Sequence, residues 1–390
     1  MGSEVLPENG KGMELRSRAG IFCFSDRGAA QAEKISAVLA ADYEVSCFRP
    51  KGNLKELAAA LFREAEVLVF VGSCGVAVRA IAPCVVSKTS DPAVIVCDDC
   101  GKHVISLLSG HIGGANALTV KIADAVGAEP VITTATDVNG RFSVDAWAKS
   151  QGLVIGSMTA AKHFSAEILK RDLPFYSGIP ISGNVPAGIY YKPVDLFSPA
   201  AGDACAAEKM SEASAGQSPA AGWKSAAAAG ESGRSCGAAV TWKRIQPFSE
   251  TLLLIPKIVR IGIGCRRGTP LEQVERAVLK LLEENEILPE SVAGYASIDV
   301  KKDEAGLLAF SEKSCRPIDF FTADELNAVP GTFSGSEFVK KTVGTDNVCE
   351  RAAIAAAGSG ARLIARKMSL DGVTCACAVS PAVLEFLSER

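Results

Sequence analysis

Short apolar segments alternate with amphipathic helical segments along the first 150 residues of this chain. Val67 to Val71 is an uninterrupted apolar run, and Leu54, Leu57 and Leu61 before it follow helical spacing. Strands that alternate with helices are joined by crossovers, which cover both faces of a parallel sheet. The same alternation returns after residue 257. We therefore expect an α/β fold: two three-layer α/β domains with mostly parallel sheets, joined by a smaller middle region.

Changes in this pattern predict the domain boundaries. We expect a disordered tail at 1–19, an N-terminal α/β domain at 20–150, a middle region at 151–256 and a C-terminal α/β domain at 257–390. Residues 199–239 contain no Val, Leu, Ile or Phe and consist mainly of Ala, Gly and Ser. Such a segment buries too little apolar surface to offset its ordering entropy, so we expect a disordered insertion there.

Charge and cysteine content exclude several classes of protein. The chain has 41 Lys and Arg against 44 Asp and Glu, which is not the basic excess typical of nucleic-acid binding. The most apolar stretch, Val67 to Val86, is interrupted by Arg79 and by glycines, so no membrane span is expected. Thirteen cysteines in 390 residues are too sparse for a disulfide scaffold. We expect reduced thiols and a cytoplasmic protein without nucleic-acid or membrane partners.

The densest polar cluster, Ser109 to Asn116, lies between a predicted strand and a predicted helix. Gly113 and Gly114 would let a ligand approach backbone N–H groups at the helix start, where the helix dipole favours anions. The same dipole would favour the neutral form of His111, which can act as a base or a hydrogen-bond donor. The alternative is a tight glycine turn capped by the histidine, and the motif alone leaves both interpretations open.

A second polar loop, Thr133 to Gly140, follows the next predicted strand. Ligands of open α/β sheets bind outside the carboxyl ends of strands. Asp137 is a candidate base or a residue that orients His111, and Thr134 and Asn139 are candidate hydrogen-bond partners of a polar substrate. An ordinary Asn-Gly turn is the alternative, but two such loops after neighbouring strands favour a site.

Two cations of the N-terminal half are further candidates. Arg79 is the only charge in the apolar segment Gly75 to Pro83 and therefore needs a partner or a ligand. Lys88 is close in sequence to Asp91, so the two could form an ion pair or face the same pocket as Arg79.

In the C-terminal half, a glycine-rich loop, Gly262 to Thr269, lies between a strand and a helix. It resembles a dinucleotide fingerprint, but its last gap is one residue too long. Arg266 and Arg267 at a helix start suit carboxylates or phosphates, and Thr269 is expected to cap that helix. Thr345 and Asp346 open another predicted helix, where they could cap it or contact a ligand.

Six of these segments, in this order, resemble the cobalt-precorrin-5A hydrolase family of anaerobic cobalamin biosynthesis. They are Gly75 to Pro83, Asp91 to Val94, Leu107 to Asn116, Val131 to Gly140, Ile261 to Thr269, and Gly331 through Ala357. The resemblance implies that the substrate is a cobalt-bearing tetrapyrrole whose ring A acetate forms a lactone. It implies that the enzyme opens the lactone and releases the methylated bridge carbon as acetaldehyde, giving cobalt-precorrin-5B.

For this reaction we expect His111, oriented by Asp137, to activate water, and amides near Gly113 to stabilise the oxyanion. The remaining candidates would bind the substrate and the carboxylates at its rim: Arg79, Lys88, Ser109, Gly113, Gly114, Asn116, Thr134, Asn139, Arg266, Arg267, Thr345 and Asp346. Cobalt arrives with the substrate, so no resident metal or cofactor is expected. Neighbouring enzymes of the pathway are candidate partners.

Two alternatives belong to other functional classes. A nicotinamide-dependent oxidoreductase is suggested by the glycine loop after Ile261. A non-catalytic carrier would bind the corrinoid without releasing an aldehyde.

Overall fold

The computed structural model describes residues 17–87, 90–196, 235–335, 341 and 343–386. The chain divides into two compact units, Met1–Ala146 and Trp147–Arg390. Within the described residues, no helix has the length and apolar character needed to cross a membrane.

The first unit is built on a six-stranded sheet with strand order β2-β1-β3-β4-β5-β6. Its strands are β1 Ser17–Cys23, β2 Tyr43–Phe48, β3 Val67–Val71, β4 Ala93–Cys97, β5 His103–Leu108 and β6 Glu129–Val131. The predicted tail is too long by three residues, because Ser17, Arg18 and Ala19 already pair with β2. Residues 1–16 of the predicted tail lie outside the described residues.

Helices cover both faces of this sheet, as the alternating pattern predicts. Helices α1 Asp26–Leu39 and α4 Ala115–Val126 lie on one face, and α2 Leu54–Glu64 and α3 Cys74–Ile81 lie on the other. Two short helices follow, α5 Ala135–Val138 and α6 Val144–Ser150, and the second unit begins within α6 at Trp147. Ile35 of α1 and Ile122 of α4 pack with Ile21 on one face. Phe62 of α2 packs with Phe22, the next residue of β1, on the other. Neighbouring residues of a strand point to opposite faces, so the continuous apolar strands supply two cores.

The direction of β5 decides which loops lie together. Strands β1 to β4 are parallel, whereas β5 runs antiparallel to β4 and β6 runs parallel to β5. The loops after β5 and β6 therefore lie at the edge where β1 to β4 begin. The loop after β3, which opens α3, lies at the opposite edge. The turn residues Asp98 to Gly101 between two apolar segments predict the β4–β5 hairpin. They do not predict which loops share an edge of the sheet.

The second unit contains a middle sheet with order β10-β8-β11-β12-β7. Its strands are β7 Val154–Ile155, β8 Leu173–Ser177, β10 Ile189–Pro193, β11 Cys236–Val240 and β12 Glu250–Ile255, and a separate short strand, β9 Ile181–Ser182, pairs with β18 Leu384–Glu385. Helix α7, Met158–Glu167, packs on β11 and β12.

The predicted insertion extends too far along the chain, because residues 236–239 belong to strand β11. All five residues of this strand are buried. Small side chains suit this strand, because a Cβ on Gly237 would lie 2.5 Å from the ring of Phe248. Ladder hydrogen bonds and close packing thus order a segment whose composition predicts disorder. Residues 199–234 of the predicted insertion lie outside the described residues.

The C-terminal sheet of the second unit has order β15-β14-β13-β17-β16. Its strands are β13 Val259–Cys265, β14 Val292–Ile298, β15 Ile318–Phe321, β16 Arg362–Leu370 and β17 Val373–Val379, and its helices are α8 Leu271–Glu284, α9 Ala305–Lys313, α10 Ala323–Ala328 and α11 Cys349–Ala357. A Cβ on Gly262 would lie 1.8 Å from the carbonyl oxygen of Cys349. Glycine at this position therefore allows α11 to pack directly on β13.

Two predicted helix caps differ from the structure. Pro270, not Thr269, is the N-cap of α8, and the Thr269 hydroxyl donates to the Arg266 carbonyl, 2.8 Å away. Helix α11 begins only after Val348, so neither Thr345 nor Asp346 caps it. Both predictions place the helix start too early, because local sequence does not define the end of the preceding loop.

Candidate active site

His111 lies in a tight loop between β5 and α4, and the backbone amides and carbonyls of this loop form hydrogen bonds with one another. The amides of Gly114, Ala115 and Asn116 donate to the carbonyls of His111, Ser109 and Gly110 at 3.0, 3.2 and 2.9 Å. A Cβ on Gly113 would lie 2.5 Å from the Ser109 carbonyl oxygen, which explains the glycine. The Gly114 amide is thus already engaged and not free for the anion-binding role expected from the sequence.

Ser109 fixes where this loop leaves the sheet. Its backbone is in the left-handed region with φ 58°, its side chain is buried, and its hydroxyl donates to the Asp91 carbonyl, 3.0 Å away. The Asp91 carboxylate in turn accepts the amides of Val86 and Ser87, both at 3.0 Å. Lys88, the predicted partner of Asp91, lies outside the described residues.

The His111 imidazole is held between two carboxylates. Its Nε2 lies 2.7 Å from Asp137 Oδ2, and its Nδ1 lies 3.1 Å from Asp145 Oδ1. The hydroxyls of Ser143 and Thr136 lie 2.9 and 3.3 Å from Nε2. The Asp145 side chain is 5% exposed and that of Asp137 is 34% exposed, so Asp137 is the carboxylate that solvent or a ligand can reach.

These contacts make the imidazole cationic. Burial lowers the pKa of His111, but the hydrogen bonds and charges of Asp137 and Asp145 outweigh it and raise the pKa to about 9. The sequence-based expectation of a neutral His111 is therefore wrong. The helix dipole that suggested it acts within the first turn of a helix, and α4 begins only at Ala115.

Asn116 organises the acidic side of the site. Its Nδ2 donates to Thr134 Oγ1 at 2.7 Å and to Asp137 Oδ2 at 3.3 Å, while its Oδ1 accepts from the Ser106 hydroxyl at 2.7 Å. Burial raises the pKa of Asp137, but the hydrogen bonds from His111 and Thr134 dominate and lower it overall. Asp137 is thus held as a carboxylate beside the imidazolium.

The structure brings together five of the predicted residues: Ser109, His111, Asn116, Thr134 and Asp137. Asn139 is adjacent in the chain, but its side-chain amide donates to the Ala135 carbonyl at 2.7 Å and closes α5. Sequence reasoning missed Ser143 and Asp145, whereas Thr136 belongs to the polar loop that it identified. In the sequence, Ser143, Val144 and Asp145 look like the ordinary start of a helix. Only the path of the chain over residues 139–143 places Ser143 and Asp145 beside His111.

Arg79 is exposed on α3, the helix that begins at the opposite edge of the sheet from the His111 loop. Its Nη1 donates to the Gly75 carbonyl at 3.1 Å. A shallow depression between α2 and α3 includes Arg79 and Lys55 among its lining residues. No described contact joins Arg79 to the His111 site, so the structure does not bring these predicted residues together.

In the second unit, Arg266 and Arg267 are exposed in the loop between β13 and α8. The Gly268 amide of this loop donates to Glu304 Oε1 at 2.7 Å, and Glu304 also pairs with Lys301 at 3.2 Å. A buried carboxylate of the protein itself therefore occupies a donor that a dinucleotide phosphate would need. This arrangement argues against the nicotinamide interpretation of the glycine loop.

Thr345 and Asp346 occupy different environments beside α11. Thr345 is fully buried, and its hydroxyl has no hydrogen-bond partner among the residues that the structure describes. Asp346 pairs with Arg351, 3.0 Å away. The neighbouring Glu350 is fully buried and accepts the amides of Ser334 and Lys367 at 2.9 and 2.8 Å. These contacts join loops of the second unit, and a ligand role for Thr345 and Asp346 stays a prediction.

Comparison with known proteins assigns the chain to a family. The family model described as Cobalamin synthesis G N-terminal matches residues 56–137, and that described as Cobalamin synthesis G C-terminus matches residues 259–378. The crystal structure of a cobalamin biosynthesis protein G homolog from Sulfolobus solfataricus covers 94% of this chain and 98% of its own, with 20% identity and a TM-score of 0.39.

Two curated relatives are similar over most of their length. Cobalt-precorrin-5A hydrolase of Salmonella typhimurium is 31% identical over 382 residues, covering 92% of this chain and 97% of the relative. Cobalt-precorrin-5A hydrolase of Priestia megaterium is 33% identical over 335 residues, covering 85% of this chain and 83% of the relative. The order of motifs and the extent of these matches lead to one assignment: the chain belongs to the cobalt-precorrin-5A hydrolase family.

Proposed function

We propose that this protein is a cobalt-precorrin-5A hydrolase, which opens the ring A acetate lactone and releases acetaldehyde to give cobalt-precorrin-5B. The full-length similarity to enzymes of that name supports the reaction. The observation that carries the site is the His111 imidazole held between Asp137 and Asp145 in the first unit. An imidazole fixed at both nitrogens, with one exposed carboxylate beside it, is suited to proton transfer at a bound ester.

The charges of the site suggest how lactone opening is assisted. As a water oxygen bonds to the carbonyl carbon and its proton passes to Asp137, negative charge grows on the carbonyl oxygen and then on the departing ring oxygen. A cationic His111 stabilises this charge, and its Nε2 proton can pass to the departing alkoxide. This adds an acid role to the base role expected from the sequence, because the imidazole holds its proton at neutral pH. Asp137 returns the proton taken from water to His111 once the imidazole has protonated the alkoxide.

The second half of the reaction needs a base. Lactone opening leaves a hydroxyl on the methylated bridge carbon, and removal of its proton forms the aldehyde carbonyl as the carbon–carbon bond breaks. The electron pair of that bond passes into the macrocycle. Asp137, ionised and partly exposed beside His111, is the proposed acceptor of the proton. Cobalt enters as part of the substrate, and no other cofactor is proposed.

The exposed Arg266 and Arg267 are proposed to bind carboxylates at the rim of the macrocycle. A reducing compartment such as the cytoplasm is proposed for the protein. Every cysteine of the described residues is a free thiol, including the exposed Cys47, Cys100 and Cys315.

Incubation of the full chain with cobalt-precorrin-5A tests the proposal, with mass analysis of the macrocycle and trapping of volatile aldehyde. We expect acetaldehyde in one-to-one yield with cobalt-precorrin-5B, and at least a hundredfold slower release by His111→Ala. His163→Ala is the matched control, because His163 pairs with Glu250 in the second unit and has no role in the site. A macrocycle that binds but keeps its mass would replace the hydrolase with a carrier.

A further inference from the structure

A buried carboxylate that the proposed reaction does not use holds the arginine loop, residues 266–269 of the second unit. Glu304, at the N-terminal end of α9, is 7% exposed, and its Oε1 accepts the Gly268 amide at 2.7 Å. Glutamate is almost never this buried unless it is paired, because removing a carboxylate from water is costly. The contacts of Glu304 therefore indicate what the protein gains by burying it.

Three contacts fix the backbone of the arginine loop. Glu304 holds the Gly268 amide. The Thr269 hydroxyl donates to the Arg266 carbonyl at 2.8 Å and closes the turn. A Cβ on Gly306 would lie 2.1 Å from the Thr269 carbonyl oxygen, so α9 packs directly on the end of the loop. The loop is thus held in one conformation on the side that faces α9.

The two arginines of this loop are its exposed part. Arg266 and Arg267 are both exposed, and neither has an ion-pair partner among the residues that the structure describes. A Cβ on Gly372 would lie 3.4 Å from Arg266 Cδ, so the stem of Arg266 lies beside the turn between β16 and β17. The backbone is fixed while the guanidinium groups remain available to a ligand.

Lys301 keeps the carboxylate of Glu304 from competing for the arginines. Its Nζ lies 3.2 Å from Glu304 Oε2, and the two side chains are 12% and 7% exposed. Opposite charges attract each other more strongly in a buried pair than in water. Both oxygens of Glu304 are therefore engaged, one by the Gly268 amide and the other by Lys301.

We propose that Glu304, paired with Lys301, is a positioning residue that holds Arg266 and Arg267 in place to bind a carboxylate of the substrate. The inference rests on the proposed function, which makes the substrate a tetrapyrrole with carboxylates at its rim. A loop that is ordered before binding loses less conformational entropy when the ligand arrives. Glu304 therefore lowers KM, whereas the proton transfers at His111 in the first unit do not depend on it.

Steady-state kinetics of the full chain with cobalt-precorrin-5A compare Glu304→Ala with Glu304→Gln. Alanine leaves the Gly268 amide without its acceptor, so KM should rise at least about fivefold while kcat changes less than about threefold. Glutamine still accepts from that amide, so KM should stay within about twofold of the wild-type value. Glu275→Ala is the matched control and should leave KM unchanged, because Glu275 pairs with the exposed Lys313 at the far end of α9.

A second variant separates the loop from the stability of the fold. Glu304→Ala leaves Lys301 buried without its partner, which destabilises a protein. The double variant Glu304→Ala/Lys301→Met has no such charge and should raise KM by the same factor. Hydrogen exchange should be faster in the peptide that contains Gly268 in both of these variants, but not in Glu304→Gln.

An unchanged KM in Glu304→Ala, or an equal rise in Glu304→Gln, would overturn the positioning role. Cobalt uroporphyrin, a tetrapyrrole with carboxylates at its rim and no lactone, separates this role from the reaction. If Glu304→Ala weakens its binding by the same factor while the wild type releases no acetaldehyde from cobalt-precorrin-5A, the positioning role stands and the hydrolase proposal fails. Wild-type protein that binds neither tetrapyrrole would refute both.

Discussion

Replacing Asp145 with Asn is expected to lower the pKa of His111 by at least about one unit. The two carboxylates, at 3.1 and 2.7 Å from the imidazole nitrogens, overcome burial and raise this pKa from 6.5 to about 9. A rise of about 2.5 units is about 3 kcal/mol favouring the charged form. An Asn at this position can still accept from Nδ1 but carries no charge. The carboxylates also offset the burial penalty, so loss of one charge of two should remove at least half of that net energy, about 1.5 kcal/mol or more.

NMR titration of the histidine ring carbons measures this change directly. The chain has only three histidines, so a His111→Gln variant assigns the signal. Asp42→Asn is the matched control, since Asp42 pairs with Lys121 at the surface and should leave the midpoint unchanged. A titration midpoint of His111 near 6.5 in the wild type would refute the conclusion that Asp137 and Asp145 keep the imidazole protonated. So would an unchanged midpoint in Asp145→Asn.

The same pKa predicts how stability depends on pH. The folded-state pKa of His111 lies above its unfolded value, so its contribution is fully present below pH 6.5 and is lost as pH rises through about 9. Urea denaturation at intervals from pH 6 to 10 should show this loss in the wild type. Asp145→Asn should show a smaller loss that ends at lower pH, and identical profiles would contradict the assignment.

Two further perturbations address the second unit. Gly262→Ala would place a Cβ 1.8 Å from the Cys349 carbonyl oxygen and 2.6 Å from the Ala353 amide, so we expect destabilisation of at least about 2 kcal/mol in urea denaturation; an unchanged midpoint would mean that α11 can move off β13. Charge reversal of Arg266 and Arg267 to Glu should raise KM for cobalt-precorrin-5A at least tenfold while changing kcat less than threefold. An unchanged KM would remove these arginines from the substrate rim.

Much of the fold follows from local patterns. The five apolar residues of β3 and the helical spacing before them predict a buried strand and an amphipathic helix, and both are present. Asp371 and Gly372 predict the turn of the last hairpin, and both adopt positive φ there. Such features depend on neighbours in sequence, through side-chain periodicity and the conformations each residue tolerates.

Local sequence patterns predict only part of the candidate site. Polar residues on two glycine-containing loops identify His111 and Asp137, which lie 2.7 Å apart. Asp145 carries no distinguishing local signal, because an acidic residue in the first turn of a helix is common. Its buried contact with Nδ1 exists only because the chain folds back after α5. The protonation state of His111 follows from that contact and is therefore also a tertiary property.

The sequence by itself determined which segments become strands and helices, which loops carry polar groups, and which family the motif order resembles. Tertiary structure decided that β5 reverses direction, so that the His111 loop and the start of α3, the helix that carries Arg79, lie at opposite edges of one sheet. It also ordered β11 against a composition that predicts disorder. Strand direction and burial depend on hydrogen bonds and packing between distant segments, and no local pattern in the chain encodes those contacts.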